Sequence, residues 1–376
     1  MPVYVGVRAT QPSLLVLVHS DKTREEAEEI KANTGVETTL SEFPPVDFDS
    51  ILSRSRALLD GFTDSQVFVN ISSGTKPWSI AFYRLSLDRD NVTVIYVDQN
   101  SVYYDLTHDT KSDLSLKLGI EDILRFHHQK VSACQKLSEY TAQDRAELIH
   151  VRKFRFKKIR DFNELVTSPS DGSWSNQVNT AKKGSYRLPS GSFVSFDREG
   201  ESVTIGLMKN GMMIRNDFRS PHIMDIVFFA GWFEYEVAML LAQWPAAGEI
   251  WMSARFPYMV GKDKNEIDVL VSLGEKLLFV ECKTQIADNT NIDKFASAAN
   301  HYGGKGAMKL FVTDARMSDL AKEKCRDHGI LSFSFEEAMP PEERARIGLN
   351  NYNSIWGRMA KLLQTYLDKE LKTINK

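Results

Sequence analysis

Asp268, Glu281 and Lys283 are the residues whose types and spacing point most directly to chemistry. They lie in two runs, Asn265 to Leu273 (NEIDVLVSL) and Lys276 to Thr284 (KLLFVECKT), separated by Gly274-Glu275. Both runs have strand composition, and a glycine-containing pair between them reads as a hairpin turn. A two-residue turn sets Asp268 opposite Glu281 and Glu266 opposite Lys283. Because strand side chains alternate, all four share one face. A longer loop with the same centre keeps that register, whereas a three-residue loop breaks it. Ile267, Val269, Val271, Val280 and Cys282 occupy the other face and suit burial.

Directly opposed side chains have Cβ atoms ~4.5–5.5 Å apart, and like charges at that spacing destabilise a sheet. Asp268 against Glu281 is therefore a local cost that a divalent cation would offset. Hard Mg²⁺ or Mn²⁺ prefers carboxylate oxygens and keeps waters for chemistry. Lys283 projects into the same space, where it can hold a water or neutralise charge growing on a phosphate. The competing reading is a solvated hairpin face on which Glu266 and Lys283 form a surface ion pair of little worth. Against it stands the apolar character of both strands, which places them centrally in a sheet.

The elements that position this hairpin follow from the rest of the chain. At 376 residues the sequence is long enough for two domains. Hydrophobic residues make up 42% and charged residues 26%, as in ordinary globular proteins, and the net charge of −3 confines any basic, nucleic-acid-binding surface to local patches. Cys134, Cys282 and Cys325 have no paired spacing, which argues against a disulfide framework or a structural zinc site and suits a reducing cytoplasm. No signal-like N-terminus or spanning apolar run is present, so neither secretion nor a membrane is expected.

Over the first ~140 residues, apolar strands alternate with helical stretches. Leu14–His19, Val67–Ile71 and Val92–Val97 read as strands, with helices over Arg24–Asn33 and from Pro77 through Leu87. That alternation predicts a parallel sheet covered on both faces, a doubly wound α/β domain. The expected divisions are 1–143 for this domain, 144–220 for a helical and β connector, and 221–376 for a second α/β domain. Within the connector, Thr167 to Ser192 reads as exposed loops, and Phe193 to Ile214 as short antiparallel strands turning at Glu199-Gly200 and Asn210-Gly211. A helix is expected around Trp232 to Trp244. The stripe Ile355, Met359, Leu362, Leu363, Tyr366 and Leu367 predicts a tail helix packed on its own domain, with a dimer contact as the alternative. No internal repeat is evident.

Three further stretches have two readings each. Ser72-Ser73-Gly74-Thr75-Lys76 lies between a strand and a helix, where backbone N–H groups and a lysine can cradle a phosphate. It matches neither a Walker A loop nor a G-x-G-x-x-G, and alone it could be an ordinary turn. Arg152 to Arg160 (RKFRFKKIR) could track a phosphate backbone with aromatic stacking, or be a helix with a solvated basic face. Tyr302-Gly303-Gly304-Lys305-Gly306 could set Lys305 on a phosphate or simply connect a helix to a strand.

Asp268 followed by Glu281-Cys282-Lys283 resembles the D…(D/E)xK signature of restriction-endonuclease-like phosphodiesterases. Glu234, in Gly231-Trp232-Phe233-Glu234, matches the helical acid of that family. Ile267 stands where the family usually has proline before the aspartate. Asn70-Ile71-Ser72-Ser73-Gly74-Thr75-Lys76 resembles the N-x-[ST]-[GS]-G-T-K segment of CRISPR-associated Rossmann-fold (CARF) domains, which sense cyclic oligoadenylates. The combination resembles the ring-nucleotide-activated accessory nucleases of type III CRISPR systems.

The resemblance implies an N-terminal Rossmann-like CARF domain and a C-terminal restriction-endonuclease-like α/β domain. It implies that Asp268, Glu281 and Glu234 bind Mn²⁺ or Mg²⁺, with Lys283 assisting the attacking water. It further implies a homodimer holding cyclic tetra-adenylate across its twofold axis as allosteric activator. Ser20, Asp21, Lys22 and Thr23 would face the ring together with Ser72, Ser73, Gly74, Thr75 and Lys76. Tyr103 and Tyr104 would either stack on adenine or be buried in a strand. The implied substrate is DNA, with RNA left open, in the cytoplasm. Two rivals remain: a regulator whose second domain holds nucleic acid without cutting it, and a repair or restriction enzyme needing no activator.

Overall fold

A computed structural model of the chain describes residues 2–98, 102–113, 118–167, 173–257, 263–285, 290–340 and 352–374. The chain divides into two compact units, 1–117 and 118–376.

In the first unit the strands are β1 (Leu14–His19), β2 (Glu37–Glu42), β3 (Val67–Asn70), β4 (Val92–Val97), β5 (Val102–Asp105) and β6 (Thr110–Asp113). β1 pairs with β2, and β3 with β4, both in parallel. Parallel neighbours need crossover connections, which the helices Arg24–Asn33 and Lys76–Ser86 supply. β5 and β6 extend the second pair antiparallel. Phe43, Ile51, Leu59, Trp78, Phe82 and Val92 form the core under the helices.

The parallel strands differ from the single expected sheet, since β1–β2 and β3–β4–β5–β6 are separate ladders. A helix not anticipated from sequence, Pro2–Thr10, packs against β3 and β4. It buries Tyr4, Val5 and Val7, and the Asn70 side-chain amide donates to the Pro2 carbonyl at 3.0 Å. Valines usually favour strands, but here burial of one helical face overrides that preference.

In the second unit, β7 (Ala133–Lys136) precedes a four-stranded antiparallel meander of β8 (Lys183–Arg187), β9 (Phe193–Asp197), β10 (Ser202–Lys209) and β11 (Met212–Arg219). Then come β12 (Ile250–Pro257), β13 (Asp263–Leu273), β14 (Lys276–Lys283), β15 (Met308–Thr313) and β16 (Leu331–Ser334). They form a mixed six-stranded sheet in the order β16-β15-β14-β13-β12-β7. β14, β15 and β16 run parallel, and the other pairs are antiparallel. The β13–β14 hairpin is therefore central, as its apolar composition demands.

Two stretches differ from the loops and linker read in the sequence. Of Thr167 to Ser192, residues 168–172 lie outside the described residues, but Ser173–Thr180 is a helix and β8 follows it. Trp174 is buried, stacked on Tyr186 and tilted against Phe196, so one aromatic anchors a segment otherwise rich in small polar residues. Residues 144–220 share a continuous hydrophobic core with the six-stranded sheet, including Leu148, Phe162, Ile205, Trp232, Leu278 and Trp356. The tail helix, Tyr352–Ile374, buries Ile355, Trp356, Met359, Leu363 and Leu367 in that same core, which is the intradomain reading of its stripe.

Candidate active site

The hairpin has the register that a Gly274-Glu275 turn requires, running from Leu273↔Lys276 to Val269↔Val280. Gly274 takes the left-handed conformation, φ +66°, that the turn needs. Val269, Val271, Val280 and Cys282 enter the main core. One position beyond the last ladder pair, the Asp268 carboxylate reaches across and accepts the Cys282 backbone N–H at 2.7 Å. Lys283 Nζ lies 3.2 Å from Asp268 Oδ2 and 2.6 Å from Glu281 Oε1. On its outer side β14 is pinned to β15, with Glu281 beside Phe311 and Lys283 beside Thr313. Glu266 does not meet Lys283; it pairs with Arg255 on β12 at 3.1 Å, both exposed. The surface-pair reading of Lys283 therefore does not hold.

Glu234 is delivered by the helix Gly231–Leu241, which packs against β12, β13 and β14. The entry to this helix is tight. Phe229 and Ala230 both have positive φ, and a Cβ on Gly231 would fall 1.8 Å from the Asp225 carbonyl oxygen. Only glycine fits there, a physical reason for glycine at the head of Gly-Trp-Phe-Glu. Ser253 Oγ donates to Glu234 Oε2 at 3.4 Å. Ser253 has φ +48° inside β12, between the pairs Met252↔Val269 and Ala254↔Ile267. A non-glycine residue in that region costs ~1–3 kcal/mol, strain of the kind that collects at functional sites. Nothing in the sequence distinguishes Ser253 from any other strand serine.

The electrostatics follow from crowding acids in a partly dry place. Burial, then the neighbouring charges of Asp268 and Glu266, holds the Glu234 carboxyl well above the usual range. Burial and Asp268 push Glu281 up to about 7 despite the opposing Lys283 ammonium. Burial works against the charge on Lys283, but Asp268 and Glu281 outweigh it and raise its pKa.

The donor chemistry of three carboxyls suits a hard divalent cation, and burial with neighbouring carboxylates holds two of them, Glu234 and Glu281, above the usual range. As they stand, no three His, Cys, Asp or Glu groups among the described residues are spaced to hold a metal. The Lys283 ammonium lies against the Asp268 and Glu281 oxygens that a cation would take.

The turn after β3 is built differently. Asn70 Oδ1 accepts from the Ser72 backbone N–H at 3.0 Å and from Ser72 Oγ at 2.5 Å, and Ser72 Oγ accepts the Val97 N–H at 2.6 Å. Gly74, at φ +97°, lies against Trp78, where a Cβ would come 2.9 Å from the ring. Thr75 is the extended N-cap of the helix Lys76–Ser86, and Ser73, Gly74 and Lys76 are exposed. After β1, Ser20 is buried and bonded to Thr23 Oγ1, while Asp21, Lys22 and Thr23 are exposed. Each turn is held by its own hydrogen bonds, and among the described residues none joins the two. Tyr103 and Tyr104 are half-buried in β5.

The basic run has neither of its two expected fates at two positions. Arg152 and Arg155 are 2% and 4% exposed, inside the core rather than on a solvated or phosphate-tracking face. Tyr302 stacks on Phe256 at 3.8 Å and accepts from the Asn265 amide at 2.7 Å, and Gly303 packs on Phe279. The side chain of Lys305 lies outside the described residues.

Residues 6–123 match the family model described as the Card1 CARF domain. The N-terminal unit is a CARF domain. Among solved structures, the chain resembles Can2 from Sulfobacillus thermosulfidooxidans, determined in complex with cyclic tetra-adenylate, at a TM-score of 0.59. That match has 16% identity and covers 98% of this chain and 96% of that one. Protein VC1899 from Vibrio cholerae matches at a TM-score of 0.64 and 14% identity, over 96% of this chain and 95% of that one. A type III CRISPR defence DNA nuclease activated by cyclic oligoadenylate matches at 0.50 and 18% identity, over 83% of this chain and 43% of that one. At these identities the likeness is one of fold. A comparison with curated proteins finds no match. The α/β fold expected, a CARF domain followed by a restriction-endonuclease-like domain, agrees with these findings.

Proposed function

We propose that this chain is a cyclic-oligoadenylate-activated, metal-dependent endonuclease of type III CRISPR antiviral defence, acting on DNA in the cytoplasm. The observation that carries the reading is the meeting of Asp268, Glu281 and Lys283 at one hairpin end, with Glu234 brought to them, in a chain that also has a CARF domain. Likeness to Can2, bound to cyclic tetra-adenylate, supports the four-membered ring as activator. No helix among the described residues is long and apolar enough to cross a membrane.

Asp268, Glu281 and Glu234 would hold Mg²⁺ or Mn²⁺, the last directly or through water. When bound, the ion polarises the phosphodiester and lowers the pKa of water. Lys283 would orient the attacking water or neutralise charge on the phosphate. In the sensor, the exposed Ser73, Gly74 and Lys76 at a helix N-terminus suit a ring phosphate, with Ser72 and Thr75 shaping the turn. Ser20, Asp21, Lys22 and Thr23 form the second candidate contact. Ile80, Tyr83 and Leu87, spaced along one face beside that turn, are 57%, 42% and 68% exposed. Such a stripe suits a second copy of the chain and supports a homodimer.

One observation favours a rival. Lys283 already pairs with both acids, an arrangement that also suits a domain holding nucleic acid without cutting it. Incubation of the purified protein with plasmid and single-stranded RNA, with and without Mn²⁺ and each ring size, separates the readings. Ring- and Mn²⁺-dependent cutting is expected. Nucleic-acid retention without cleavage supports the regulator, and cutting that ignores the ring supports an activator-independent enzyme.

A further inference from the structure

Behind Glu234 lies a second set of charges with no surface role. Trp232 is 1% exposed and lies against two guanidiniums, with Arg152 Cζ 4.5 Å and Arg155 Cζ 4.6 Å from its ring centroid. Arg152 Nε pairs with Glu236 Oε2 at 2.9 Å. Arg152 Nη1 and Arg155 Nη1 each lie 3.4 Å from Asp314 Oδ2. Arg155 Nε also donates to Asn163 Oδ1 at 2.9 Å. Among the described residues, two cations thus face two anions.

The network touches both arms of the site. Trp232 and Glu236 belong to the helix that carries Glu234. Asp314 follows Thr313, the β15 partner of Lys283, and its backbone N–H donates to the Lys283 carbonyl at 3.2 Å. Burying four charges is a poor way to gain stability, since apolar replacements of similar shape are often neutral or better. What a guanidinium adds is direction, because its plane can stack on an indole while its edge meets carboxylates.

We propose that Arg152, Arg155, Trp232, Glu236 and Asp314 form a positioning clamp that fixes the Glu234 helix against the Lys283 end of β14. Its task is to set the spacing of the carboxylates for a divalent cation. The inference rests on the nuclease reading. None of the five touches the reacting atoms, so they are positioning residues.

The test pairs Arg152→Met with Glu236→Leu, which removes one cation and one anion and leaves Arg155 with Asp314. Among the described residues no charge is orphaned, so a folded protein with a Tm near the parent's is expected. Mn²⁺ binding, measured by calorimetry without nucleic acid, should weaken about 10- to 100-fold, the scale on which supporting partners of metal ligands act. Arg152→Lys keeps the charge but loses the plane; it should fold and lose Mn²⁺ affinity in the same direction, and it decides the matter if the double variant does not fold. Cyclic tetra-adenylate binding should be unchanged in both. Parent-like Mn²⁺ affinity in a stably folded variant would overturn the clamp. A parent that binds no Mn²⁺ would instead overturn the site reading, and the clamp with it.

Discussion

The hairpin end and the turn after β3 are both candidate readers of phosphate chemistry, and they are built in opposite ways. At the hairpin, function is carried by side chains: burial and neighbouring charges raise Glu234, Glu281 and Lys283 above their usual ranges. At the turn it is carried by backbone, with small exposed residues and a left-handed Gly74 braced by Asn70 and Ser72. The hairpin stores unfavourable electrostatics that a cation can release, whereas the turn stores little and offers donors to an anion. A change at the first should therefore act through charge and packing, and a change at the second through shape.

Glycines in the two regions sharpen that contrast. Gly231→Ala drives a Cβ into the Asp225 carbonyl, backbone against backbone, so neither side can yield. Destabilisation at or beyond the ~1–3 kcal/mol of ordinary overpacking is expected, seen as a lowered unfolding midpoint in urea. Gly74→Ala meets only the edge of the Trp78 ring and an unfavourable φ, a cost of ~1–2 kcal/mol confined to the sensor turn. It should weaken ring binding while Mn²⁺ binding stays as in the parent. Equal effects of the two substitutions on Mn²⁺ binding would break the comparison.

Glu281→Ala should lower activated cleavage by roughly 10²–10³-fold or more, the scale of losing one transition-state-stabilising group, and leave ring affinity intact. Unchanged cutting by this variant would remove Glu281 from the site.

Acidity offers a graded version of the same test. Glu281 is pushed up from 4.5 to about 7, so the metal-free folded protein keeps a proton that the unfolded chain releases earlier. The resulting stability is fully present below about pH 4.5 and is lost as pH rises through about 7. Mn²⁺ must displace that proton, so its affinity should climb ~tenfold per pH unit up to neutrality and then level off. A flat profile between pH 5 and 7 would detach Glu281 from the metal. The smallest effect is expected at Lys76→Ala, where losing an exposed cation should weaken ring binding by up to about tenfold, or ~1.4 kcal/mol. Full ring affinity in that variant would move the sensor contact elsewhere.

Much of the hairpin was legible because its information is local. Strand alternation and a glycine turn determine which residues share a face, and Asp268, Glu281 and Lys283 do meet. Glu234 was legible only through resemblance, since its approach depends on a helix packed from far along the chain. Ser253 was not legible, because a left-handed backbone at a serine leaves no mark in the sequence. Arg152 and Arg155 misled for a related reason. Their neighbours Lys153 and Lys157 look the same in sequence, and only the distant Trp232, Glu236 and Asp314 decide which cations are buried. In the first unit the alternation marked β1, β3, β4 and the helices that cross between parallel strands, but not β2, β5 or β6, and whether two parallel pairs join into one ladder depends on non-local pairing.

The central claim is that Asp268 and Glu281 exchange the Lys283 ammonium for a divalent cation. It is tested most directly by diffraction from Mn²⁺-soaked crystals at the manganese absorption edge, at pH above 7. The account predicts an anomalous peak within ~2.0–2.2 Å of oxygens from both carboxylates, with Lys283 Nζ displaced from its present place between them. Full-occupancy soaks with no such peak, and Lys283 still bridging Asp268 and Glu281, would contradict it.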